Sequence, residues 1–260
     1  MSDLPKENIY GHTKKLGFVI EEIRRYVSLC RKQITILDFG CGNGIAVSQF
    51  LIQQGVRYYG VDHHEPSLRY ARERFQCEDA TFLDHLPEGI LFDVILYADV
   101  LEHFENPSAI LKDHSRILKR NGVIVGSVPN GKGPFEVEKR IDKFFGISDG
   151  IRLAARLKRK LTGRGLLSKT IVPYNSESRH RQFFNRRSLV ATLREAGFEI
   201  EVFRKGAFLG GPLSERILRT TWVRRTNSVV GDWLPFWAVS TWYFTARKIT
   251  DMRQIGIQKV

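Results

Sequence analysis

The chain has 260 residues, of which 42% are hydrophobic and 27% are charged, with a formal net charge of +13. This composition is close to the average for globular domains and excludes disordered, collagen-like and coiled-coil proteins. No apolar run is long enough to span a membrane, and the first residues lack the apolar stretch of a secretory signal. The three cysteines show no CxxC spacing, which indicates a reducing compartment. We therefore expect a cytoplasmic protein that folds as a single domain over residues 1–260.

The first half of the chain alternates short apolar runs with segments of helical periodicity. A helical lead over residues 1–33 contains a predicted amphipathic helix from Tyr10 to Arg31. The apolar runs are typical of buried parallel strands; strands are predicted at 34–40, 56–62, 92–99 and 122–130, with helices at 45–54, 67–75 and 107–118. Strands that alternate with helices in this way predict a doubly wound α/β sheet.

Two segments of the second half interrupt this alternation. A basic insertion over 131–178 shows no clear strand, and the residues between Ile147 and Leu161 fit a basic amphipathic helix. A helix from Asn185 to Ala196 follows, and then come a strand at 198–204, a second insertion over 206–236, a last strand at 237–248 and a tail over 249–260. The insertions are therefore expected to be additions to one sheet.

The positive charge is confined to the second half of the chain. Residues 1–130 carry 15 Lys and Arg against 17 Asp and Glu, whereas residues 131–260 carry 26 against 11. The stretch from Ile151 to Arg187 has eleven basic residues and one acid. Such a segment attracts phosphates or an anionic membrane surface, and it is also typical of a solvated face that keeps a protein soluble. Both interpretations stay open on charge alone.

The segment LDFGCGNG, Leu37 to Gly44, places three glycines at alternate positions between a predicted strand and a predicted helix. Glycine at such a turn lets a ligand approach the backbone closely. A dinucleotide-binding loop would need a glycine where Ile45 stands, and the acid Asp38 would repel a pyrophosphate. A carboxylate pairs instead with an ammonium group, which favours a cofactor that carries an amino acid, as S-adenosylmethionine does.

Five motifs in the same order resemble the class I S-adenosylmethionine-dependent methyltransferases, over most of the range from Thr35 to Lys248. They are the loop at 38–44, Gly60-Val61-Asp62, Phe82-Leu83-Asp84, FDVILYADVLEHFENP at 92–107 and RHRQFFNRRSLVATLREAGF at 179–198. The last two are similar to the small-molecule branch that includes ubiquinone-pathway O-methyltransferases. The resemblance implies a mostly parallel, seven-stranded Rossmann-like sheet with helical insertions, and in-line transfer of a methyl group to a small-molecule or lipid-linked acceptor.

The resemblance also implies which residues bind S-adenosylmethionine. In the family, the loop glycines contact the methionine part of the cofactor, an acid at the place of Asp62 accepts the ribose hydroxyls, and an acid at the place of Asp84 binds the adenine amino group. We expect the cofactor site to consist of Asp38, Gly40, Cys41, Gly42, Gly44, Asp62, His63, Asp84 and Ala98. Each acid taken alone also fits an ordinary turn or loop position, so the prediction depends on the motifs together.

Fewer residues in the sequence indicate how the methyl acceptor is bound. Asp99, Glu102 and His103 have the i, i+3, i+4 spacing of metal ligands on one helix face, but a Glu-His pair more often orders a loop beside the cofactor. No metal ion is therefore predicted. His180 lies where relatives often have a histidine that faces the substrate, and a neutral imidazole could take the acceptor's proton. His180 and His103 are the candidate catalytic residues, with lining of the pocket as the alternative role.

The tryptophans of the chain are clustered in its second half. All four lie within 21 residues, close to four arginines: Trp222, Trp233, Trp237 and Trp242, with Arg216, Arg219, Arg224 and Arg225. Trp and Arg together suit a membrane interface, which predicts peripheral membrane contact and a lipid-linked or anionic acceptor. The alternative is that Trp237 and Trp242 fill the core face of the last strand.

Two other functions are weighed against this prediction. A nucleic-acid methyltransferase, acting on RNA for example, would have an Asn/Asp-Pro-Pro-aromatic loop after the fourth strand to clamp a flipped base, and the chain has Tyr97-Ala98-Asp99-Val100 there. A nucleic-acid substrate is therefore disfavoured. The remaining alternative is a non-catalytic binding module that keeps the methyltransferase fold.

Overall fold

One seven-stranded sheet organises the part of the chain that the structure describes. The computed structural model describes residues 9–30, 32–147, 150, 172–173, 175, 180–211, 213–214 and 220–249. The strands are β1 (Thr35–Phe39), β2 (Arg57–Val61), β3 (Ala80–Leu83), β4 (Phe92–Ala98), β5 (Leu118–Pro129), β6 (Phe198–Lys205) and β7 (Thr241–Lys248). Their order across the sheet is β3-β2-β1-β4-β5-β7-β6, which confirms the predicted doubly wound, mostly parallel Rossmann-like sheet.

The directions of β5, β6 and β7 place both insertions at one edge of the sheet. Strands β1 to β5 are parallel, whereas β7 is antiparallel to both β5 and β6. The first residues of β7 therefore pair with the last residues of its neighbours: Thr241 with Pro129 and Trp242 with Lys205. Both insertions consequently leave the sheet at the carboxyl edge of the parallel strands, where open α/β sheets bind ligands.

Helices cover both faces of the sheet and close two hydrophobic clusters. They are α1 (Ile9–Cys30), α2 (Ser48–Leu51), α3 (Glu65–Phe75), α4 (Pro107–His114), α5 (Pro134–Phe145), α6 (Arg186–Glu195) and α7 (Thr221–Trp233). Short 3-10 turns lie at Ile52–Gln54, Leu101–His103 and Phe236–Ala238. Because successive side chains of a strand point to opposite faces, the adjacent residues Ile36 and Leu37 belong to different clusters. None of the described helices is long and apolar enough to cross a membrane.

Several boundaries differ from the sequence-based expectations. The helix predicted over 107–118 ends at His114, because a turn closed by the Ile117 N–H and the His114 carbonyl oxygen leads directly into β5. The helix predicted over 45–54 is reduced to α2 and the turn that follows it. β3 was not predicted as a strand from its periodicity, and the last strand begins at Thr241 rather than at Trp237.

Within the described residues, each insertion contributes one helix. α5 lies in the first insertion and α7 in the second, and the two insertions touch where the Ser214 N–H donates to Glu138 Oε2 at 2.8 Å. The buried Asn130 side chain ties the end of β5 to the segment between the second insertion and β7, since its amide donates to the carbonyl oxygens of Trp237 and Val239, both at 2.9 Å. The basic helix predicted between residues 147 and 161 lies almost entirely outside the described residues.

Gly126 in the middle of β5 provides a test of the packing between β5 and β7. It lies opposite Phe244, and a Cβ atom at position 126 would come within 3.0 Å of the Phe244 ring. We expect Gly126→Ala to lower the free energy of unfolding by about 1–3 kcal/mol through overpacking, as measured by urea denaturation.

Gly17→Ala is the matched control for this variant. Gly17 is exposed within α1, and a Cβ atom there would meet nothing within 4 Å. Because alanine favours helix more than glycine does, we expect this change to be stabilising by about 0.5–1 kcal/mol. Equal effects of the two substitutions would contradict the packing of Phe244 on Gly126.

Candidate functional site

The glycine loop joins β1 to α2 and is held by the end of β2. The backbone N–H groups of Gly40 and Cys41 both donate to the Val61 carbonyl oxygen, at 2.7 and 3.1 Å. Gly40 has a φ of +82°, and a Cβ atom there would collide with the Val100 side chain, so only glycine fits. At Gly42, with a φ of +56°, nothing lies within 4 Å of a Cβ position. The loop therefore presents open backbone at the carboxyl edge of the sheet.

Asp62 follows β2 and faces this loop. Its two carboxylate oxygens accept the backbone N–H groups of Gly42 and His64, both at 2.8 Å. Its side chain is 12% exposed, whereas that of the neighbouring His63 is 86% exposed. The structure thus brings Asp62 and Gly42 together across 20 residues of sequence. A carboxylate oxygen accepts more than one hydrogen bond, so Asp62 retains capacity for a ligand hydroxyl.

Asp38 lies beneath the loop in a buried polar pocket. The Tyr58 hydroxyl donates to its Oδ2 at 2.6 Å, and the Ser48 hydroxyl lies 3.4 Å from the same atom. Burial raises the pKa of Asp38 to about 6, although the hydrogen bond from Tyr58 acts in the opposite direction. Burial also raises the pKa of the Cys41 thiol well above its usual value. Cys41 is therefore protonated at neutral pH, and a protonated thiol is a poor nucleophile.

The other predicted cofactor residues end neighbouring strands. Ala98 is the last residue of β4, and Asp84 follows β3, whose Leu83 pairs with Val61. The Asp84 side chain is 64% exposed and lies 2.6 Å from His85 Nδ1, a hydrogen bond that lowers the pKa of this carboxyl group. The predicted cofactor residues therefore all lie along one edge of the sheet.

Asp99 lies in the turn after β4 and pairs with the N-terminal helix. Its φ of +59° is unusual for a residue other than glycine, and its carboxylate binds Lys15 Nζ at 2.8 Å and the Ser127 hydroxyl at 2.5 Å. Lys15 comes from α1 and its side chain is only 5% exposed. Asp99 therefore anchors the N-terminal helix to the loop after β4.

A second polar cluster lies beyond β4 and β5 and contains both candidate catalytic histidines. Potential ligand atoms of Glu102, His103 and His180 all lie within 4.8 Å of one another. These residue types are metal ligands in other proteins. His180 Nδ1 is 2.9 Å from Glu136 Oε1, and the His103 and His180 rings meet edge to face with centroids 5.1 Å apart. The structure thus brings the two predicted histidines together and adds two acids.

Glu102 is the most deeply buried acid of this cluster. Among the described residues, neither of its carboxylate oxygens has a hydrogen-bond partner, and burial raises its pKa well above the usual value. Its backbone carbonyl oxygen accepts the N–H groups of Arg181 and Gln182, at 2.8 and 2.9 Å. Glu102 therefore holds the segment that carries His180 through its backbone, while burial disfavours the charged form of its own carboxyl group.

Sequence reasoning missed Glu136. It lies in the first turn of α5, within the basic insertion, and is separated from His180 by 44 positions along the chain. No periodicity or motif relates two residues at that distance.

The fold and the glycine loop define a Rossmann-like α/β protein with a ligand site at the carboxyl edge of its sheet. A protein family described as a methyltransferase domain matches residues 10–201. The chain belongs to the class I S-adenosylmethionine-dependent methyltransferase family.

Curated relatives match part of the chain. The ubiquinone biosynthesis O-methyltransferase of Idiomarina loihiensis is 35% identical over 105 residues, which cover 36% of this chain and 42% of that protein. The protein of the same name from Pasteurella multocida is 34% identical over 113 residues, which cover 36% of this chain and 46% of that protein. The chain thus spans less than half the length of these two relatives.

Solved structures share the fold at low identity. The magnesium protoporphyrin IX methyltransferase of Synechocystis, with bound SAH, has a TM-score of 0.55 and 16% identity over 92% of this chain and 83% of that one. A Burkholderia thailandensis 1,6-didemethyltoxoflavin-N1-methyltransferase has a TM-score of 0.50 and 17% identity over 86% and 75% of the two chains. These likenesses confirm the Rossmann-like methyltransferase fold.

The ion pair between Lys15 and Asp99 is open to a direct stability test. Asp99→Asn keeps a residue that tolerates positive φ but leaves a buried ammonium group without this counterion. Removing one partner of a fully buried pair costs about 3–5 kcal/mol, and because Asp99 is 34% exposed we expect a loss of about 2 kcal/mol in the free energy of unfolding.

Lys15→Met combined with Asp99→Asn is the matched control, because it removes both charges. Urea denaturation should show that the double variant recovers most of the stability that Asp99→Asn loses. If the effects of the two substitutions simply add, the ion pair does not anchor α1.

Proposed function

We propose that this protein binds S-adenosylmethionine at the carboxyl edge of β1, β2 and β4 and transfers its methyl group to a small-molecule acceptor. The observation that carries the proposal is the cradle formed by the glycine loop and Asp62. The loop has open backbone at Gly42, and a carboxylate with remaining acceptor capacity lies beside it. These features fit a cofactor that has an amino acid at one end and a ribose diol in the middle.

We assign the parts of this site by their place along the sheet edge. Asp38, Gly40, Cys41, Gly42 and Gly44 belong to the methionine end of the cofactor, since they form or underlie the glycine loop. An ammonium group near the Asp38 carboxylate would lower the raised pKa of this acid and offset the cost of its burial.

We assign the residues at the ends of β2, β3 and β4 to the nucleoside end of the cofactor. Asp62 belongs to the ribose, because its carboxylate lies beside Gly42 at the centre of the cradle. His63, Asp84 and Ala98 belong to the adenine side. The adjacency of the β2 and β3 ends supports this assignment for Asp84, since the Asp62 N–H donates to the Leu83 carbonyl oxygen at 3.1 Å.

Methyl transfer depends more on the position of the acceptor atom than on acid-base chemistry. When bound, S-adenosylmethionine supplies a methyl group already activated on a sulfonium sulfur. The chain must then hold the acceptor atom in line with that group and near attack distance. His180, supported by His103, lies at the same edge of the sheet and would accept the proton that an acceptor hydroxyl loses on methylation. The O-methyltransferase names of the curated relatives support an oxygen acceptor.

Two alternatives are not favoured. Tyr97, which begins the segment where a base-clamping loop would lie, is fully buried and hydrogen-bonded to His114, so its ring is not available to stack on a flipped base. A non-catalytic module would bind the cofactor without consuming it, and incubation with acceptor mixtures distinguishes this alternative. We also propose one domain over residues 1–260 and a cytoplasmic location, supported by the continuous sheet and by the free Cys30, Cys41 and Cys77.

Calorimetric titration with S-adenosylmethionine and S-adenosylhomocysteine tests the cofactor site. We expect both to bind, and Asp62→Ala to weaken binding by about 1.5–3 kcal/mol, or about 10- to 150-fold, through the loss of a charge-assisted hydrogen-bond partner. Asp113→Ala is the control, because Asp113 lies exposed on α4. Unchanged affinity in a folded Asp62 variant would refute the ribose assignment, and the absence of binding by the folded wild type would refute the function.

The insertions expose a set of large apolar side chains that supports peripheral membrane contact. On α5 these are Val137, Ile141, Phe144 and Phe145, and on α7 they are Trp222, Val229 and Trp233, with Trp237 following the second insertion. Trp233 is 84% exposed and Phe144 is 83% exposed. The predicted core role holds for Trp242, which is buried, but not for Trp237, which is 75% exposed.

Charge supports a membrane with anionic lipids as the partner. Lys139, Arg140 and Lys143 lie on α5 among its exposed apolar residues, and Arg224 and Arg225 lie on α7. Aromatic side chains together with basic residues suit the headgroup region of an anionic bilayer. A lipid-linked acceptor would then reach the enzyme at the edge of the sheet that carries the cofactor site. The basic helix predicted near residues 151–160 and the predicted interface residues Arg216 and Arg219 lie outside the described residues.

Co-sedimentation with vesicles tests the membrane proposal. We expect binding to vesicles rich in phosphatidylglycerol at low salt and weaker binding to pure phosphatidylcholine. The double variant Trp233→Ser/Trp237→Ser should lose about 1.5 kcal/mol or more of binding free energy, roughly tenfold in the partition coefficient.

Leu91→Ser is the matched control for the vesicle experiment. Leu91 is also exposed, at 52%, but it precedes β4 at the opposite edge of the sheet. This variant should bind vesicles as the wild type does. The membrane proposal fails if the wild type does not sediment with anionic vesicles, or if Leu91→Ser weakens binding as much as the tryptophan variant.

A further inference from the structure

The contact between Glu136 and His180 joins the first insertion to the segment that follows it. His180 Nδ1 and Glu136 Oε1 are 2.9 Å apart, and the two side chains are only 13% and 4% exposed. An ionised carboxylate can only accept hydrogen bonds, so the imidazole must be the donor in this contact. Nδ1 of His180 therefore carries a proton whenever Glu136 is ionised.

Three further contacts fix the position of the His180 ring. The Phe135 ring stacks on it with an interplanar angle of 23°, and the His103 ring meets it edge to face. The next two residues along the chain, Arg181 and Gln182, donate their backbone N–H groups to the Glu102 carbonyl oxygen. The imidazole is consequently held between the start of α5 and the loop after β4.

A neutral imidazole has one proton, and the position of that proton decides which nitrogen can act as a base. With Nδ1 protonated, Nε2 has a free lone pair and can accept a proton from an acceptor hydroxyl. With the other tautomer, Nε2 would be a donor and could not act as a base. A carboxylate next to Nδ1–H also stabilises the imidazolium ion that forms when Nε2 takes up the proton.

We propose that Glu136 is a positioning residue that keeps His180 in the tautomer with its proton on Nδ1, so that Nε2 is the base for methyl transfer. This inference rests on the proposed function, which gives His180 the role of base. Glu136 itself acts through His180 and need not touch the acceptor. The first insertion thus supplies part of the catalytic apparatus as well as an exposed face.

Glu102 does not compete with Glu136 for the imidazole proton. Neither of its carboxylate oxygens has a hydrogen-bond partner among the described residues, and burial disfavours its ionised form by raising its pKa well above the usual value. The carboxyl group within hydrogen-bond distance of His180 Nδ1 is that of Glu136.

The tautomer can be observed without any substrate or cofactor. In the full chain labelled with ¹⁵N-histidine and treated with a chelator, long-range ¹H–¹⁵N correlation spectra show which ring nitrogen carries the proton. The chain has seven histidines, and His180→Gln identifies the His180 signals by their loss. We expect the wild type, at a pH high enough for its imidazoles to be neutral, to show His180 as the Nδ1–H tautomer.

Three variants separate positioning from folding. Glu136→Met removes the acceptor and should shift His180 to a mixture in which the Nε2–H tautomer predominates. Glu136→Gln should retain the Nδ1–H tautomer, because its amide oxygen still accepts the hydrogen bond. Asp142→Asn, which replaces another acid further along α5, should leave the His180 signals unchanged.

Failure of this inference and failure of the proposed function give different results in these experiments. An Nε2–H tautomer in the wild type overturns the inference and needs no variant beyond the one used for assignment. An unchanged tautomer in folded Glu136→Met overturns it as well. Failure of the proposed function would appear instead as a lack of S-adenosylmethionine binding in the same samples, whatever the tautomer of His180.

Discussion

Two acceptors at the end of β2, the Val61 carbonyl oxygen and the Asp62 carboxylate, bind the backbone N–H groups of the glycine loop. A loop rich in glycine loses much conformational entropy on folding, so it needs such acceptors to keep one shape. Strand β2 can supply them because β1 and β2 are adjacent and parallel, which brings both carboxyl ends to the same edge. The shape of the candidate cofactor site thus depends on the pairing of two strands.

The two insertions lie at the same edge of the sheet. Strands β5 and β6 both end at the carboxyl edge, and because β7 is antiparallel to them, the connection from β6 to β7 also returns to the sheet at that edge. Asn130 and Glu138 then link the insertions to the sheet and to each other. The first half of the chain supplies the glycine loop and Asp62, whereas the basic second half supplies both insertions together with Glu136 and His180.

Local patterns predicted the parts of the structure that depend on neighbouring residues. The glycine loop and most strands follow from apolar runs and turn residues, and they match the structure to within a few residues. β3 has only four residues and alternates between buried and half-buried positions, so its signal is weak. Long-range pairs left no such pattern. Asp99 binds Lys15 across 84 positions and His180 meets Glu136 across 44, and only the folded chain shows either pair.

The helix α5 connects the two proposals made for the acceptor side. Its first turn carries Glu136 against His180, and its last turn exposes Phe144 and Phe145. Glu136 and Phe144 are eight positions apart, which corresponds to about 12 Å along one rigid helix. If Phe144 and Phe145 enter a headgroup layer, the orientation of α5 is fixed at the membrane, and with it the position of Glu136 beside His180. Membrane binding and the position of the proposed catalytic imidazole would then be coupled, because both depend on the orientation of α5.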